Sequence, residues 1–326
     1  MRSPSRFASA QPWLWSDSFL DQVGTTENLR RNGIDESAVR FLGPFDPLPD
    51  RIDTVVVKVP KTLTLLDDQL RRLRPHLHPD TLVVGAGMTK HIHTSTINAF
   101  DALIGPTTTS LAQRKSRLIH STFDAEQTVG EAPWPSTRIE GALTVVNHAN
   151  VFSKERLDIG TRFLLENLPE PAAPGETRRV VDLGCGNGIV GVSVAIADPE
   201  AELVFVDESF MAVASAEATF AANLGPDRTA RFVVGDTLFH LAAGEPIERG
   251  SVDLVLNNPP FHDDHALSDA TAWQMFTEAH GALRSGGEIR VVGNRHLAYH
   301  AKLKRIFGNC RVVASNSKFV VFSATK

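Results

Sequence analysis

The chain has 326 residues, of which 42% are hydrophobic and 22% charged, a composition typical of a folded protein of two domains. A formal net charge of −5 excludes a protein that grips nucleic acid through overall basicity, and two cysteines are too few for a disulfide framework. No apolar stretch approaches the roughly 20 residues of a membrane span, and no secretory signal is recognisable, so we expect a cytoplasmic protein without a membrane partner.

Basic residues form several short clusters in the N-terminal half, although the chain as a whole is acidic. Such clusters allow a surface for RNA, and a solvated helix face is the alternative interpretation. The candidate RNA-binding residues are Arg71, Arg72, Arg74, Arg114, Lys115 and Arg117.

The segment 128–136 contains Pro133 and Pro135, which break any regular element. We interpret this segment as a linker between an N-terminal domain, residues 1–127, and a C-terminal domain, residues 137–326.

Beyond the linker, short β-branched runs alternate with longer helical runs, which predicts an α/β fold with helices on both faces of a parallel sheet. Two apolar runs around 315–317 predict a final hairpin that closes the sheet. The predicted strands are 179–183, 202–206, 230–234, 251–256 and 288–292, with helices that include 210–223 and 270–284.

Four segments of the N-terminal half match segments of the C-terminal half in the same order, which indicates an internal duplication. The copies differ where chemistry is expected, because Lys58 stands opposite Asn258, and the counterpart of the C-terminal glycine loop would fall before Met1. We therefore interpret the first half as a degenerate, incomplete copy without a cofactor site. The matched pairs are WSDSF (15–19) with VDESF (206–210), DTVVVKVPK (53–61) with DLVLNNPPF (253–261), LVVGAG (82–87) with RVVGNR (290–295), and FDALIG (100–105) with LKRIFG (303–308).

The run VVDLGCGNGIVG (180–191) predicts a buried strand, a glycine-rich turn and a helix. Gly184, Gly186 and Gly188 allow backbone conformations that side chains forbid, and they let the backbone approach a ligand closely. The spacing also satisfies the dinucleotide fingerprint, in which a pyrophosphate binds at the helix N-terminus. The loop by itself therefore leaves the cofactor open.

Three aspartates at the ends of successive predicted strands favour S-adenosylmethionine. Asp182 precedes the loop, where its carboxylate can attract the cationic amino group of the cofactor and would suit a pyrophosphate poorly. Asp207 is placed to accept hydrogen bonds from the ribose hydroxyls, and Asp236 to accept one from the adenine amino group. Each aspartate alone is also explained as a helix cap, but three at neighbouring strand ends indicate a ligand cleft.

Asn258, Pro259, Pro260 and Phe261 follow the fourth predicted strand and are the most specific signal in the sequence. The prolines remove two backbone donors and hold the chain extended. An exocyclic amino group has two hydrogens to donate, and the Asn258 side-chain oxygen and the Pro259 carbonyl are the expected acceptors. Phe261 offers a face on which an extruded base can stack. Beside the glycine loop, this tetrapeptide predicts methyl transfer to a nucleobase amino group.

Two histidine pairs, His76 with His78 and His91 with His93, suggest a metal site. No cysteine lies in that half, and zinc usually needs three or four ligands from histidine, cysteine or acidic residues. We therefore expect no metal.

Several segments together resemble the bacterial rRNA guanine-N2 methyltransferases, and within them the large-subunit methyltransferase G type. The resemblance covers nearly the whole chain and is carried by NHANVFSKERLDIGTRFLL, VVDLGCGNGIVG, VFVDES, NNPPFH and NRHLAYHAKLKRIFGNC, and in the N-terminal half by NLRRNGIDES, VVKVPKTL, HIHTST and LIGPTTTSLA.

The resemblance implies two tandem Rossmann-like class I methyltransferase domains, of which only the second is catalytic and the first assists RNA binding. It implies S-adenosylmethionine at the glycine loop and guanine at the NPPF tetrapeptide. It also implies that Phe152, Ser153, Asp158 and Gly160 help to cover the cofactor. The N-terminal half departs from the family pattern, because it is shorter and lacks the first strand and loop.

The leading hypothesis is therefore a monomeric enzyme that methylates the N2 amino group of a guanine in ribosomal RNA, with 23S rRNA of the large subunit as the expected substrate. A methyltransferase for 16S rRNA is the alternative within the family. NPPF-type motifs also occur in methyltransferases of adenine in DNA and of glutamine in proteins, where a degenerate N-terminal copy is unexpected. From another class, an RNA-binding or assembly factor with a vestigial cofactor fold stays open.

Overall fold

The computed structural model describes residues 12–152, 156–260 and 265–326. It divides the chain into two compact units, one that combines residues 12–44 with 136–326 and another that comprises 45–135. Residues 12–44, expected in the N-terminal domain, thus belong to the unit of the predicted catalytic domain. Residues 128–135 of the predicted linker belong to the smaller unit, where Arg71 Nη1 donates to the Gly130 carbonyl at 2.6 Å.

The strands are numbered in chain order across both units. They are β1 (Trp13–Trp15), β2 (Arg40–Leu42), β3 (Thr54–Lys58), β4 (Leu82–Met88), β5 (Thr107–Thr109), β6 (Ser116–Ser121), β7 (Ser136–Glu140), β8 (Leu143–Asn147), β9 (Arg179–Leu183), β10 (Glu202–Asp207), β11 (Arg231–Val234), β12 (Val252–Asn257), β13 (Leu283–Asn294), β14 (Arg311–Ser315) and β15 (Phe319–Thr325).

The helices are numbered in the same way, and among the described residues no helix is both long and apolar enough to cross a bilayer. They are α1 (Phe19–Arg31), α2 (Leu63–Leu73), α3 (Thr94–Leu103), α4 (Ile159–Leu165), α5 (Ile189–Ala197), α6 (Phe210–Leu224), α7 (His265–Ala282) and α8 (Tyr299–Phe307).

The larger unit is built on a seven-stranded sheet with the order β11-β10-β9-β12-β13-β15-β14. The first five strands are parallel to one another, whereas β15 is antiparallel to both β13 and β14. This arrangement confirms the predicted parallel sheet and the final hairpin. Strand β9 lies inside the sheet between β10 and β12, and its carboxyl end carries the glycine loop.

Each face of this sheet packs against its own cluster of buried apolar residues. Phe276 of α7 and Leu303 of α8 belong to one cluster with Val181, while Leu164 of α4 and Phe220 of α6 belong to the other with Val180. Successive residues of β9 therefore point to opposite faces, as the pleat of a strand requires. Helices on both faces bury residues 180–183 of this strand, which explains its apolar run.

The predicted element bounds hold for β9 and shift elsewhere. Helix α7 begins at His265 and ends at Ala282, whereas the sequence predicts 270–284. Strand β13 begins at Leu283 instead of residue 288, because Leu283 already pairs with Val252 before the register shifts.

The smaller unit has a four-stranded sheet with the order β3-β4-β6-β5. Strands β3 and β4 are parallel, and β6 is antiparallel to both β4 and β5. The same order and directions occur in β12-β13-β15-β14 of the larger unit. Likewise, β1 and β2 form a separate parallel pair that corresponds to β10 and β11. Within residues 12–135 nothing corresponds to β9, the strand that joins these two groups in the catalytic sheet. The duplicated pattern therefore folds as two sheets instead of one.

Candidate active site

The candidate residues lie at the carboxyl ends of neighbouring parallel strands. Leu183 of β9 is opposite Val206 of β10 on one side and opposite Asn257 of β12 on the other. The glycine loop, Asp207 and Asn258 therefore leave the same edge of the sheet side by side, about 4.8 Å from strand to strand. This edge is where open α/β sheets bind their ligands.

The glycine loop is held in a conformation that ordinary side chains resist. Gly184, Gly186 and Gly188 have φ values of +73°, +54° and +77°, and Gly188 is the N-cap of α5. A Cβ at Gly188 would lie 2.8 Å from Ala216, whereas a Cβ at Gly186 would meet no atom within 4 Å. The loop thus packs against α6 at one end and leaves open space over Gly186.

Asp182 lies beneath this loop and is almost fully buried, with 3% of its surface exposed. Its Oδ2 accepts a hydrogen bond from the Gly191 N–H at 2.8 Å, so the carboxylate caps the first turn of α5. Burial raises the pKa of Asp182 to about 7, although the Gly191 hydrogen bond opposes this shift. Asp182 therefore caps a helix, the alternative role that the sequence allowed for it. This hydrogen bond places its carboxyl group at the base of the glycine loop.

Asp207 joins the end of β10 to the glycine loop. Its Oδ2 accepts from the Gly186 N–H at 3.0 Å, and its Oδ1 accepts from the Ser209 N–H at 3.1 Å. Burial raises the pKa of Asp207 despite these hydrogen bonds. The side chain is partly exposed, and a carboxylate oxygen can accept more than one hydrogen bond, which suits a ligand hydroxyl.

Asp236 follows β11 and is partly exposed, with 24% of its side chain accessible. Gln274 Nε2 approaches its Oδ2 at 3.4 Å, and His240 Nδ1 lies 3.9 Å from the same oxygen. The His240 ring in turn packs on Phe19 of α1, with 5.2 Å between ring centroids.

Asn258 and its neighbour Asn257 are among the side chains whose hydrogen bonding is incomplete, and Asn258 is the one within the predicted catalytic tetrapeptide. Its Nδ2 donates to Thr161 Oγ1 at 2.9 Å, while its Oδ1 is buried and has no hydrogen-bond partner among the described residues. Thr161 donates weakly to Asp158 Oδ2 at 3.5 Å, which leaves the threonine oxygen to accept from the amide. A buried acceptor without a donor costs about 1–3 kcal/mol, so this oxygen is suited to a donor from a ligand.

Thr161 was not predicted from the sequence, and it lies beside two residues that were. Asp158 caps α4, with its Oδ2 accepting from the Thr161 N–H at 2.9 Å. A Cβ at Gly160 would lie 2.9 Å from that oxygen and 3.0 Å from the Phe319 ring, so this glycine is required for packing. The residue pattern D-x-x-T of a capped helix is the signal that singles out Thr161.

The remaining predicted cofactor and catalytic residues divide between buried, exposed and undescribed positions. Pro259 is buried and Pro260 exposed, and the side chain of Phe152 is also exposed, at 51%. Ser153 and Phe261 lie outside the described residues. A further contact that the sequence did not suggest joins the loop to the preceding segment, where Asn187 Nδ2 donates to Asn147 Oδ1 at 3.0 Å.

The predicted RNA-binding arginines at the end of α2 and directly after it are mostly engaged within the smaller unit. Arg74 donates to the backbone carbonyls of Leu103, Ile104, Asp124 and Gln127 at 2.7–3.2 Å. Arg71 pairs with Asp67 at 2.7 Å, and Arg72 Nη2 reaches the Asp46 carbonyl at 3.3 Å. Arg74 therefore has a structural role in this unit, which contradicts the alternative of a solvated helix face, while its predicted contact with RNA stays a prediction.

The second basic cluster lies at the hairpin between β5 and β6. Arg114 and Lys115 are exposed and have φ values of 49° and 62°, a left-handed backbone that costs free energy in residues other than glycine. Gln113 and Ser116 exchange backbone hydrogen bonds across the turn, and the Thr89 N–H donates to the Lys115 carbonyl at 2.8 Å. Arg117, in β6, is partly buried instead.

Comparison with known proteins identifies both halves of the chain. Residues 142–323 match the family described as methyltransferase small domain, and residues 5–125 match the RLMG N-terminal domain. The 16S rRNA N2 methyltransferase of T. thermophilus, solved with AdoMet and guanosine, superposes with a TM-score of 0.74 at 22% identity. That match covers 96% of this chain and 82% of the other, and it shows that the two proteins share their fold.

Curated relatives are similar along nearly the full chain. Ribosomal RNA large subunit methyltransferase G of Streptomyces avermitilis is 54% identical over 326 residues, which cover 98% of this chain and 83% of the relative. The protein of the same name from Yersinia pestis is 46% identical over 321 residues, with 97% and 78% covered. The chain therefore belongs to the ribosomal RNA large subunit methyltransferase G family.

Proposed function

We propose that this chain transfers a methyl group from S-adenosylmethionine to the exocyclic N2 amino group of a guanine in the 23S rRNA of the large ribosomal subunit. The names of its relatives support the class of substrate. The observation that carries the chemistry is the buried Oδ1 of Asn258, which has no donor in the described part of the chain. An enzyme that acts on ribosomes belongs in the cytoplasm, and we expect it to act as a monomer.

The residues at the sheet edge fit S-adenosylmethionine. Asp182 offers a negative charge for the cationic amino acid end, and Asp207 offers oxygens for the ribose hydroxyls. Asp236, which is partly exposed at the next strand end, suits the adenine amino group. The open space over Gly186 gives the backbone room to approach the cofactor. When bound, the cofactor supplies a methyl group on a positively charged sulfur, which keeps the bonding electron pair when the methyl leaves.

Asn258 and Pro259 orient the acceptor base. The Asn258 Oδ1 accepts one hydrogen of the guanine amino group, and the Pro259 carbonyl accepts the other. Because both hydrogens are engaged, the nitrogen lone pair is directed away from them, toward the glycine loop. The nitrogen gains one methyl group and then loses one proton to solvent water. Phe261, which lies outside the described residues, remains the predicted stacking partner of the base.

Cofactor affinity should decrease as the pH falls from 8 to 6. The raised pKa of Asp182, about 7, means that most of its negative charge is lost over this range, which weakens attraction of the cationic cofactor by about tenfold. The stability of the cofactor-free protein should change in the opposite direction. Below pH 7 the folded state binds this proton while the unfolded state, with a lower pKa, does not, so protonation stabilises the fold.

Calorimetry of S-adenosylmethionine binding at pH 6, 7 and 8, together with thermal melts of the free protein, measures both effects. Burial also raises the pKa of Glu208 to about 7, so Asp182→Asn is needed as the matched variant. Its affinity should be lower at pH 8 and vary less with pH. An equally steep pH dependence in Asp182→Asn would assign the titration to another group.

The hairpin between β5 and β6 is the surface that we propose contacts RNA, because Arg114 and Lys115 are exposed there and Leu111 is 93% exposed beside them. Replacing both basic residues with alanine should weaken rRNA binding about tenfold at low salt. It should also reduce the slope of log K against log salt by about 1 to 2. The double variant Arg51→Ala with Lys61→Ala removes two exposed charges elsewhere in the same unit and is the control. Equal RNA affinities of the two double variants would show that the hairpin does not contact RNA.

The function is tested with rRNA and ribosomal subunits from a strain that lacks this gene. The purified protein, labelled cofactor and each RNA are incubated, and the nucleosides are then separated by mass. We expect N2-methylguanosine in 23S rRNA and no label in 16S rRNA. Label in 16S rRNA alone would favour the small-subunit alternative. Binding of RNA without any methyl transfer to 23S or 16S rRNA would favour the non-catalytic assembly factor and contradict the proposal.

A further inference from the structure

Residues 17–19 and 208–210 form a reciprocal contact within the larger unit. The Phe19 N–H donates to the Glu208 carbonyl and the Phe210 N–H donates to the Asp17 carbonyl, both at 3.0 Å. Ser18 and Ser209, the N-caps of α1 and α6, face each other in an antiparallel bridge. The two matching segments of the internal duplication thus cap neighbouring helices around a local two-fold arrangement.

The side chains of the same two segments also exchange hydrogen bonds, and this contact is buried. Ser18 Oγ donates to Glu208 Oε2, and Ser209 Oγ donates to Asp17 Oδ2, each at 2.6 Å. Asp17 is only 5% exposed, although its partner Ser209 lies 192 positions further along the chain. The contact is therefore an internal part of the catalytic unit.

Both carboxylate oxygens of Asp17 accept further hydrogen bonds, in addition to the one from Ser209. Its Oδ1 accepts from the Met211 N–H at 2.7 Å, in the first turn of α6. Its Oδ2 also accepts from Asn150 Nδ2 at 2.7 Å, in the segment between β8 and α4. One side chain from outside the matched methyltransferase domain thus connects two separate segments of that domain.

Both connected segments are bonded to the glycine loop. On one side, Ser209 is held by Asp17 and also donates its N–H to Asp207, whose other oxygen binds Gly186. On the other side, the segment that contains Asn150 begins at Asn147, which accepts from Asn187 of the loop. A displacement of Asp17 would therefore release the turn after Asp207 and the segment beside the loop together.

We propose that Asp17 is a positioning residue for the cofactor site, which fixes Asp207 and the segment 147–150 in the geometry that binds S-adenosylmethionine. This inference rests on the proposed function, because it assumes that the glycine loop binds this cofactor. It assigns to the N-terminal segment a role in cofactor binding, in addition to any contribution of the smaller unit to RNA binding.

The test compares Asp17→Asn and Asp17→Ala with wild type in the full-length protein at pH 8, above the raised pKa of Asp17 of about 6. Asp17→Asn keeps the shape and one acceptor, and should raise the Kd for S-adenosylmethionine about tenfold; Asp17→Ala should raise it further. At saturating cofactor, kcat and the KM for rRNA should stay within about twofold of wild type. Asp227→Asn, the same change at an exposed site after α6 in the same unit, is the control and should bind like wild type.

A double-mutant cycle separates positioning from a general loss of stability. The effects of Asp17→Asn and Asp207→Asn on Kd should be less than additive, because both changes release the same turn. Additive effects, or a Kd for Asp17→Asn equal to that of wild type, would overturn the inference while leaving the proposed function intact. Failure of the wild-type protein to bind S-adenosylmethionine would overturn both.

Discussion

Replacing Asn258 with alanine should lower kcat by about 100- to 1000-fold, the usual effect of removing one preorganised polar group from an active site. The affinity for S-adenosylmethionine should change by less than about twofold, because the described hydrogen bonds of the glycine loop do not include Asn258. Thermal stability should not fall, since the substitution also removes a buried oxygen that has no hydrogen-bond partner in the described part of the chain. Single-turnover kinetics, calorimetry and thermal melts measure the three quantities.

Two further variants sharpen this prediction. Thr161→Val removes the acceptor of the Asn258 amide and should lower kcat about three- to tenfold, whereas Thr161→Ser keeps the hydroxyl and should retain activity. Asn32→Ala, at the exposed C-cap of α1, is the matched control for the loss of an amide. A parallel loss of cofactor affinity and turnover in Asn258→Ala would mean that this residue holds the cofactor instead of the base.

Replacing Gly191 with alanine should destabilise the larger unit by about 3 kcal/mol and lower the midpoint of thermal unfolding by about 6–12 °C. The added Cβ would lie 2.3 Å from the Phe205 ring and 3.1 Å from Asp182 Oδ2. Phe205 cannot move away easily, because it is fully buried and stacks on Phe232 with 4.9 Å between ring centroids. To relieve the clash, α5 would have to move. The backbone N–H of residue 191, which donates a hydrogen bond to Asp182, would move with it.

The same substitution at Gly24 is the control, because a Cβ there would meet no atom within 4 Å. Gly24 is exposed inside α1, where alanine favours the helix by about 0.5–1 kcal/mol, so Gly24→Ala should raise the unfolding midpoint slightly. Opposite signs for the two glycines are the expected result in thermal melts of the full-length protein. Equal stability of Gly191→Ala and wild type would mean that the helix and strand pack less closely than described.

The sequence predicted those parts of the fold that depend on local patterns. The bounds of β9 were correct because an apolar run ends at a glycine loop, and a strand buried on both faces has such a run. The left-handed glycines at 184, 186 and 188 follow from the same motif. The acceptor role of Asn258 was inferred from its chemistry and stays a prediction, and the structure adds that its Oδ1 has no hydrogen-bond partner among the described residues.

Contacts between distant positions were not predictable in this way. Thr161 and Asn258 are 97 positions apart, and Asp17 and Ser209 are 192 apart, so no local spacing links them. For the same reason residues 12–44 were assigned to the N-terminal domain, although their buried partners lie in the catalytic unit. Arg74 shows a second limit, because a basic cluster in sequence does not reveal that a guanidinium points inward to backbone carbonyls.

The most direct test of the account is a crystal structure of the protein with S-adenosylhomocysteine and guanosine. We predict that Asn258 Oδ1 lies about 2.7–3.2 Å from the guanosine N2 atom, with Nδ2 still bonded to Thr161. A structure in which this oxygen faces away from the nucleoside, or in which another side chain accepts from N2, would contradict the central claim.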